Sequence, residues 1–488
     1  MKKNNRSFNV VFASLLLFIP AGVATAANDG TELLPYTTDG TLSEVTAARL
    51  TTSDTYNLVT GSGRYSATTA AIEIGGATAT NAHLTVSSGG DVVASYSSGT
   101  GGSVYVGYGT PGTASYGCSN SLTITGSGST VTTGYGPNYI GFYGSSNTLL
   151  IERGGSFSGS GTNVQVTIGN GDSTSSSYGN SNAVTVTGLG STLSIVNAAL
   201  NAMITVGNYG SSNSMTISDS GAVTSNVFLI GGGSNTSSTL GTASSNHVTV
   251  TGSGSSLTVS SATVTTNNFG SISVGRMGRG NYMEVLSGAD VSSRNFYVGS
   301  YFQGSSNTMG NNNYAKLSGS GSTLTVTSIL KVGFTSSASV SNSDNYLEID
   351  DGALVKVGSS SSAATVTVIS GNYIELANGV LAIYSNVTSS LSTMLEGKVK
   401  TWDGDSFESV ALTSLNYAYC SSTAEVDEFI SKYDLSSYDY TAADLVGYTL
   451  ITGGSAISVP EPSTYALFGG VGALGLALYR RRSAKIVA

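Results

Sequence analysis

Four tyrosines each follow an asparagine: Asn281-Tyr282, Asn313-Tyr314, Asn345-Tyr346 and Asn372-Tyr373. Two residues after each tyrosine stands a charge, Glu284, Lys316, Glu348 or Glu375. On an extended chain these alternate positions share one face. Aromatic rings beside carboxylates suit sugars, whose apolar faces stack while their hydroxyls are hydrogen-bonded. Tyr282, Tyr314, Tyr346 and Tyr373 are therefore a candidate glycan-binding strip. The plainer use of the same residues is cross-strand pairing, about 0.2–1 kcal/mol per pair, with Lys316 between Glu284 and Glu348. Glu348 and Glu375 share a column with no cation between them. Such like charges raise one pKa or attract a metal, and Asp350 and Asp351 nearby add a weak calcium alternative.

Catalysis has no comparable grouping. Asp172, Asp219, Asp290 and Asp344 fall in different loops, and His83 and His247 lack a motif partner. No Gly-x-Ser-x-Gly elbow, zinc-spaced His/Cys set or phosphate loop occurs, and no βαβ pattern follows the Gly-x-Gly strings. Neither an enzyme nor a cofactor is expected; a polysaccharide lyase or hydrolase would need clustered carboxylates. A net charge of −9 with pI near 4.7 argues against a nucleic-acid partner.

A repeat must position these residues. Its unit reads apolar-x-apolar-Gly, a polar loop, Asn-x-apolar-x-apolar, a glycine turn, then apolar-x-apolar. The anchors are Asn120, Asn147, Asn182, Asn213, Asn246, Asn281, Asn313, Asn345 and Asn372, with Asn81 a looser first copy. The period-two alternation means strands. Counting each asparagine as zero, even positions are apolar (Met215 and Ile217, Val248 and Val250) and face inward. The asparagine shares their phase. A buried amide needs a partner, so the anchors are expected to form an internal ladder between coils; a merely local turn is the alternative. Three short strands per unit predict an all-β, three-sided parallel β-helix of about ten coils over 55–390, stacked at about 4.8 Å. A β-propeller would need four strands per blade and aromatic signatures that are missing. Residues 391–458 hold Trp402 and denser acidic charge, and read as a cap and stalk with a helix at Thr423 to Tyr433 and a strand at Tyr448 to Thr452. Cys118 and Cys420 fall too far apart along such a stack to bond.

The two ends look like delivery signals. Lys2, Lys3 and Arg6, the apolar run Val10 to Gly22, and Ala24-Thr25-Ala26 form a secretory signal peptide, 1–26; 27–54 reads as a leader or cap. At the other end, Val459-Pro460-Glu461-Pro462 precedes an apolar run, 465–479, and then Arg480-Arg481-Arg482. The run predicts a C-terminal transmembrane helix with a basic stop on the cytoplasmic side.

This order of motif, apolar run and basic stop resembles the PEP-CTERM sorting signal over 459–488. The resemblance implies an exosortase-like partner, transient anchoring in the inner membrane, and delivery to the cell surface or extracellular matrix of a Gram-negative bacterium. The expected protein is thus an exported, non-catalytic surface or matrix component, such as a biofilm constituent. The alternative is a polysaccharide-binding adhesin that uses the tyrosine strip.

Overall fold

The computed structural model describes residues 43–454, apart from 46–47, 51–55, 61–63, 68–70, 77–78, 95–101, 110–116, 162, 172–177, 198–201, 233–242, 261–268, 277, 300–309, 335–341 and 404. The chain divides into two compact units, Met1–Leu33 and Leu34–Ala488. The first unit, the expected signal peptide and the sorting segment 459–488 lie outside the described residues.

In the second unit the coils contribute three β-segments each until the last, where helical turns at Thr388–Ser390 and Leu391–Leu395 follow Val380–Tyr384 in place of a third strand. Ser214–Ser218, Ala222–Ser225 and Val227–Ile230 form one coil. The first of these alternates: Met215 and Ile217 are buried, while Ser214, Thr216 and Ser218 are partly exposed. Pairing is parallel and in register, with Met215 opposite Val184 in the coil before and Val248 in the coil after. Every inward residue therefore lies over another inward residue, and the interior becomes one column of Val, Ile and Leu with Phe157, Phe228 and Phe296 among the bulkiest. No coil closes its own apolar face, so stability comes from stacking.

Among the described residues the first-face column holds thirteen strands, from Tyr56–Thr60 to Phe407–Ser409, and only its last pairing is antiparallel. The second and third columns belong to one sheet of 23 strands; Asp290–Val298 and Thr323–Val332 run through the bend between them. The ladder starts before residue 55, where Ser43–Val45 pairs with Arg64–Ala67. It continues past 390, where Val399–Trp402 pairs with Tyr373–Leu376. Both of these pairings involve strands beyond 55–390, in coils that lack the anchor asparagine.

The corner between first and second strands alternates in length. From His83–Ser87 to Leu354–Val357 it holds three residues, then four, in strict succession. The four-residue corners are Gly126–Ser129, Gly188–Ser191, Gly252–Ser255 and Gly319–Ser322, each ending in a buried serine. That serine accepts a backbone N–H from the three-residue corner one coil earlier: Gly89 to Ser129 Oγ at 3.1 Å, Gly154 to Ser191 Oγ at 3.0 Å, Ser220 to Ser255 Oγ at 3.1 Å, Gly288 to Ser322 Oγ at 2.9 Å. The three-residue corners instead carry a small residue at that place. A Cβ on Gly90 would lie 2.6 Å from the Val59 carbonyl oxygen, and one on Gly155 2.5 Å from that of Ile124. The structural repeat is thus a pair of coils.

The cap reverses the chain. Tyr448–Thr452 lies antiparallel between Val380–Tyr384 and Asn416–Cys420. An antiparallel strand offers the next coil no matching pattern, so the stack ends there. Helix Thr423–Lys432 starts at Ser422, whose Oγ accepts the Glu425 N–H. Its Val426 and Phe429 pack with Cys420, Leu435, Leu445 and Leu450 over Val380 and Ala382. Asp439 reaches back over the coils, its N–H donating to Ser320 Oγ at 2.9 Å.

The expected fold class needs one correction. No helix among the described residues is long and apolar enough to cross a membrane. Thr423–Lys432, at 10 residues, is the longest, about 15 Å against a hydrocarbon core of about 30 Å, and it is amphipathic. The protein is mostly β, with parallel solenoid-like sheets and a small mixed cap; residues 465–479 lie outside the described residues. Cys118 lies in an early coil, where its Sγ accepts the Ser145 N–H at 3.3 Å, and Cys420 is buried in the cap; no disulfide joins them.

Candidate functional site

Each anchor asparagine sits at the entry to a first-face strand, fully buried. Its Oδ1 accepts twice from the asparagine one coil earlier. Asn213 donates its backbone N–H to Asn246 Oδ1 at 2.9 Å and its Nδ2 at 3.0 Å. The same double bond links Asn120 to Asn147, Asn147 to Asn182, Asn182 to Asn213, Asn246 to Asn281, Asn281 to Asn313, Asn313 to Asn345 and Asn345 to Asn372. At the far end Asn372 Nδ2 donates to the Asn342 carbonyl at 3.0 Å. At the near end Ala82, not Asn81, holds the anchor position, and its N–H donates to Asn120 Oδ1. Asn81 is left-handed at φ 59° and bonds His83 instead.

The glycine of the apolar-x-apolar-Gly element is the ladder's counterpart. Gly107, Gly141, Gly169, Gly207 and Gly275 all have positive φ, and a Cβ on any of them would fall on an anchor amide (Asn147, Asn182, Asn213, Asn246 and Asn313 respectively). Glycine admits the amide as well as the turn.

The tyrosines form a second, outer column. Tyr282, Tyr314, Tyr346 and Tyr373 are in mutual register. His247 begins the stack 4.8 Å from Tyr282; Tyr282 to Tyr314 is 5.0 Å and Tyr314 to Tyr346 is 5.1 Å, with ring planes within 8°. Lys400 Nζ lies over the Tyr373 ring at 4.0 Å. Both faces of Tyr282 and of Tyr314 are therefore turned on neighbouring rings.

Three of the four charges beside the rings are held in ion pairs. Lys316 Nζ bonds Glu348 Oε1 at 2.7 Å, and Lys400 Nζ bonds Glu375 Oε1 at 3.0 Å. The apparent clash of Glu348 with Glu375 is corrected by Lys400, which the extra strand Val399–Trp402 brings into the column. Burial pushes Glu375 up, and Lys400 opposes the shift. Burial pulls Lys316 down, but Glu348 outweighs it and the ammonium ends above its usual value. No group of three or more metal-ligating side chains occurs among the described residues.

Stacking has a pH consequence. Burial pushes the Tyr314 hydroxyl up to about 12, and Tyr346 rises further, helped by Glu375. A pKa raised in the fold stabilises it fully below the unfolded value near 10 and ceases to do so as pH rises through the folded value. The protein should therefore lose stability from about pH 10 to 12, in step with tyrosinate absorbance near 295 nm. Tyr314→Phe should lessen the loss; an unchanged alkaline limb would show that the stack does not hold these protons.

Where the rings end, a cleft of about 540 Å³ opens against the cap. Lys316, Glu348, Asp350, Ala377, Asn378, Trp402, Asp403, Phe407 and Gly453 line it. Register explains its shape. Leu376 lies between Ile349 and Thr401, and continuing that register by one residue sets Asp350, Ala377 and Trp402 in succession. Ala377 is small, so the middle rung forms a floor between a carboxylate and an indole. Trp402 is 48% exposed and meets Phe407 edge-on at 5.3 Å across the terminal hairpin. Asp403 Oδ1 accepts the N–H groups of Asp405 and Ser406, which hold its carboxyl below the usual range. The repeat pattern missed this wall because Gly397 stands where the coil's anchor asparagine would be.

Val459, Pro460, Glu461, Pro462, Arg480, Arg481 and Arg482 lie outside the described residues. No curated protein matches the chain. Among solved structures, the crystal structure of a TibC-catalyzed hyper-glycosylated TibA55-350 fragment is 14% identical and covers 68% of this chain and 90% of its own, with a TM-score of 0.24. At that score the likeness carries no argument. Residues 458–482 match the PEP-CTERM protein-sorting motif. That motif implies an exported protein, transiently held at a membrane and passed to an exosortase-type enzyme; the chain carries this sorting signal.

Proposed function

We propose that this is a non-catalytic structural protein of the cell surface or extracellular matrix, whose solenoid acts as a stiff spacer released through its C-terminal signal. The observation that carries this reading is the sorting motif directly behind a capped solenoid, at 458–482. The surface chemistry supports it. Outward columns are spent on links between coils: Thr192 to Ser156 at 2.9 Å, Thr224 to Ser194 at 2.9 Å, the tyrosine stack and the two lysine–carboxylate pairs. Such a surface resists bending along the stack and leaves few groups free for chemistry.

C-terminal mass spectrometry of the protein recovered from its native envelope tests this reading. Peptides should end at or near Pro460-Glu461-Pro462, without Arg480 to Ala488. Mature, surface-exposed protein that keeps those last residues would contradict it.

A further inference from the structure

We propose that the cleft between the last coils and the cap is a sugar-binding site, selective for neutral or amino-bearing pyranose units over uronic acids. Three features converge there. Trp402, 48% exposed, offers an accessible aromatic surface, because the register of Leu376 with Thr401, continued by one residue, sets it beside Ala377 and not another ring. The two rung steps from Asp350 to Trp402 span about 10 Å, room for one sugar ring lying on the Ala377 floor. Lys316, Glu348, Asp350, Asn378 and Asp403 surround that floor with hydrogen-bonding groups. Sugar sites combine these elements, an aromatic platform and convergent polar side chains in a concave surface.

The charge balance sets the selectivity. One ammonium, Lys316, faces three carboxylates, Glu348, Asp350 and Asp403, and Lys316 already holds Glu348. A uronate would meet net negative charge with no unengaged cation. A hydroxyl or an amino group would find acceptors. The terminal hairpin also fixes Trp402 against Phe407, so little ordering is needed on binding.

Trp402 is the chain's single tryptophan, so its fluorescence reports this cleft alone. The full chain in mild detergent is titrated with chitosan tetramer, cellotetraose and tetragalacturonate, and binding is measured in parallel by calorimetry. The first two should change Trp402 emission with saturation, and tetragalacturonate should bind at least about tenfold more weakly. Trp402→Ala should weaken calorimetric binding by about tenfold, the scale of one lost stacking contact. Ala377→Leu fills the floor, in a column that already accommodates Leu286, and should abolish binding with the fold intact by circular dichroism. Preference for the uronate, no saturable binding of any of the three, or binding unchanged in both variants would overturn the site. Cleavage of an oligosaccharide, lost in Ala377→Leu, would support the cleft and refute the non-catalytic reading. The cleft belongs to the folded body alone, so its failure would leave the sorting reading standing.

Discussion

Gly207→Ala should be among the most damaging single substitutions in the body, destabilising it by about 4 kcal/mol or more. Two effects combine. Gly207 has φ +78°, where an L side chain loses about 1–2 kcal/mol. The new methyl would also fall on the Asn246 amide, which cannot retreat because it is bonded on both sides. Gly126→Ala separates the effects. Gly126 has φ +88°, but its Cβ would meet nothing nearer than 3.7 Å. Only the backbone penalty should remain there. Urea denaturation of the two variants, with limited proteolysis to locate the opening, measures the difference. Equal losses would show that the glycine serves the turn alone.

Asn246→Ala should follow closely, at about 3–5 kcal/mol. It strips the acceptor from two buried donors, the N–H and Nδ2 of Asn213, and removes one of the two donors that serve Asn281 Oδ1, the backbone N–H remaining. A buried donor without a partner loses its full hydration, about 1–3 kcal/mol each. Hydrogen exchange at the Asn213 amide reads the break directly and should accelerate far more than at Val223, on another face of the same coil. Asn197→Ala is the control. Asn197 lies outside the ladder and is only partly buried, so its loss should be smaller. If Asn246→Ala proves as mild as the control, the ladder contributes little.

Much of the solenoid was legible because its rules are local. Asparagine with apolar residues at +2 and +4 defines the inward phase within five residues, and the observed burial of Met215, Ile217 and Asn213 has that phase. The glycine–asparagine contact was not legible. Its partners belong to successive coils separated by loops of different length, and only stacking shows that Gly207 faces Asn246 instead of the nearer Asn213. His247 occupies the tyrosine column one residue after its anchor, yet as an isolated histidine it gave no sign of being a stacked ring.

The site was less legible than the fold. Tyrosines at +1 suggested open ring faces, but strands about 4.8 Å apart bring neighbouring rings to stacking distance, so regular repetition closes those faces. Trp402 escapes that closure where repetition breaks, with Ala377 beside it and a reversing hairpin beyond. The cap's antiparallel pairing joins Val380–Tyr384 to a strand nearly seventy residues later, a match that no local pattern encodes. The transmembrane expectation rests on the apolar run and its basic stop, and the described helices do not supply a span.

The alternating corners limit how such a chain can grow or shrink. Excising one coil would set two long bends against each other, or two short ones, and would leave a serine hydroxyl or a main-chain amide without its mate. Excising two adjacent coils would restore every junction. Lineages of this architecture can therefore be expected to differ in length by even numbers of turns, with the duplicated block beginning at any point in the cycle.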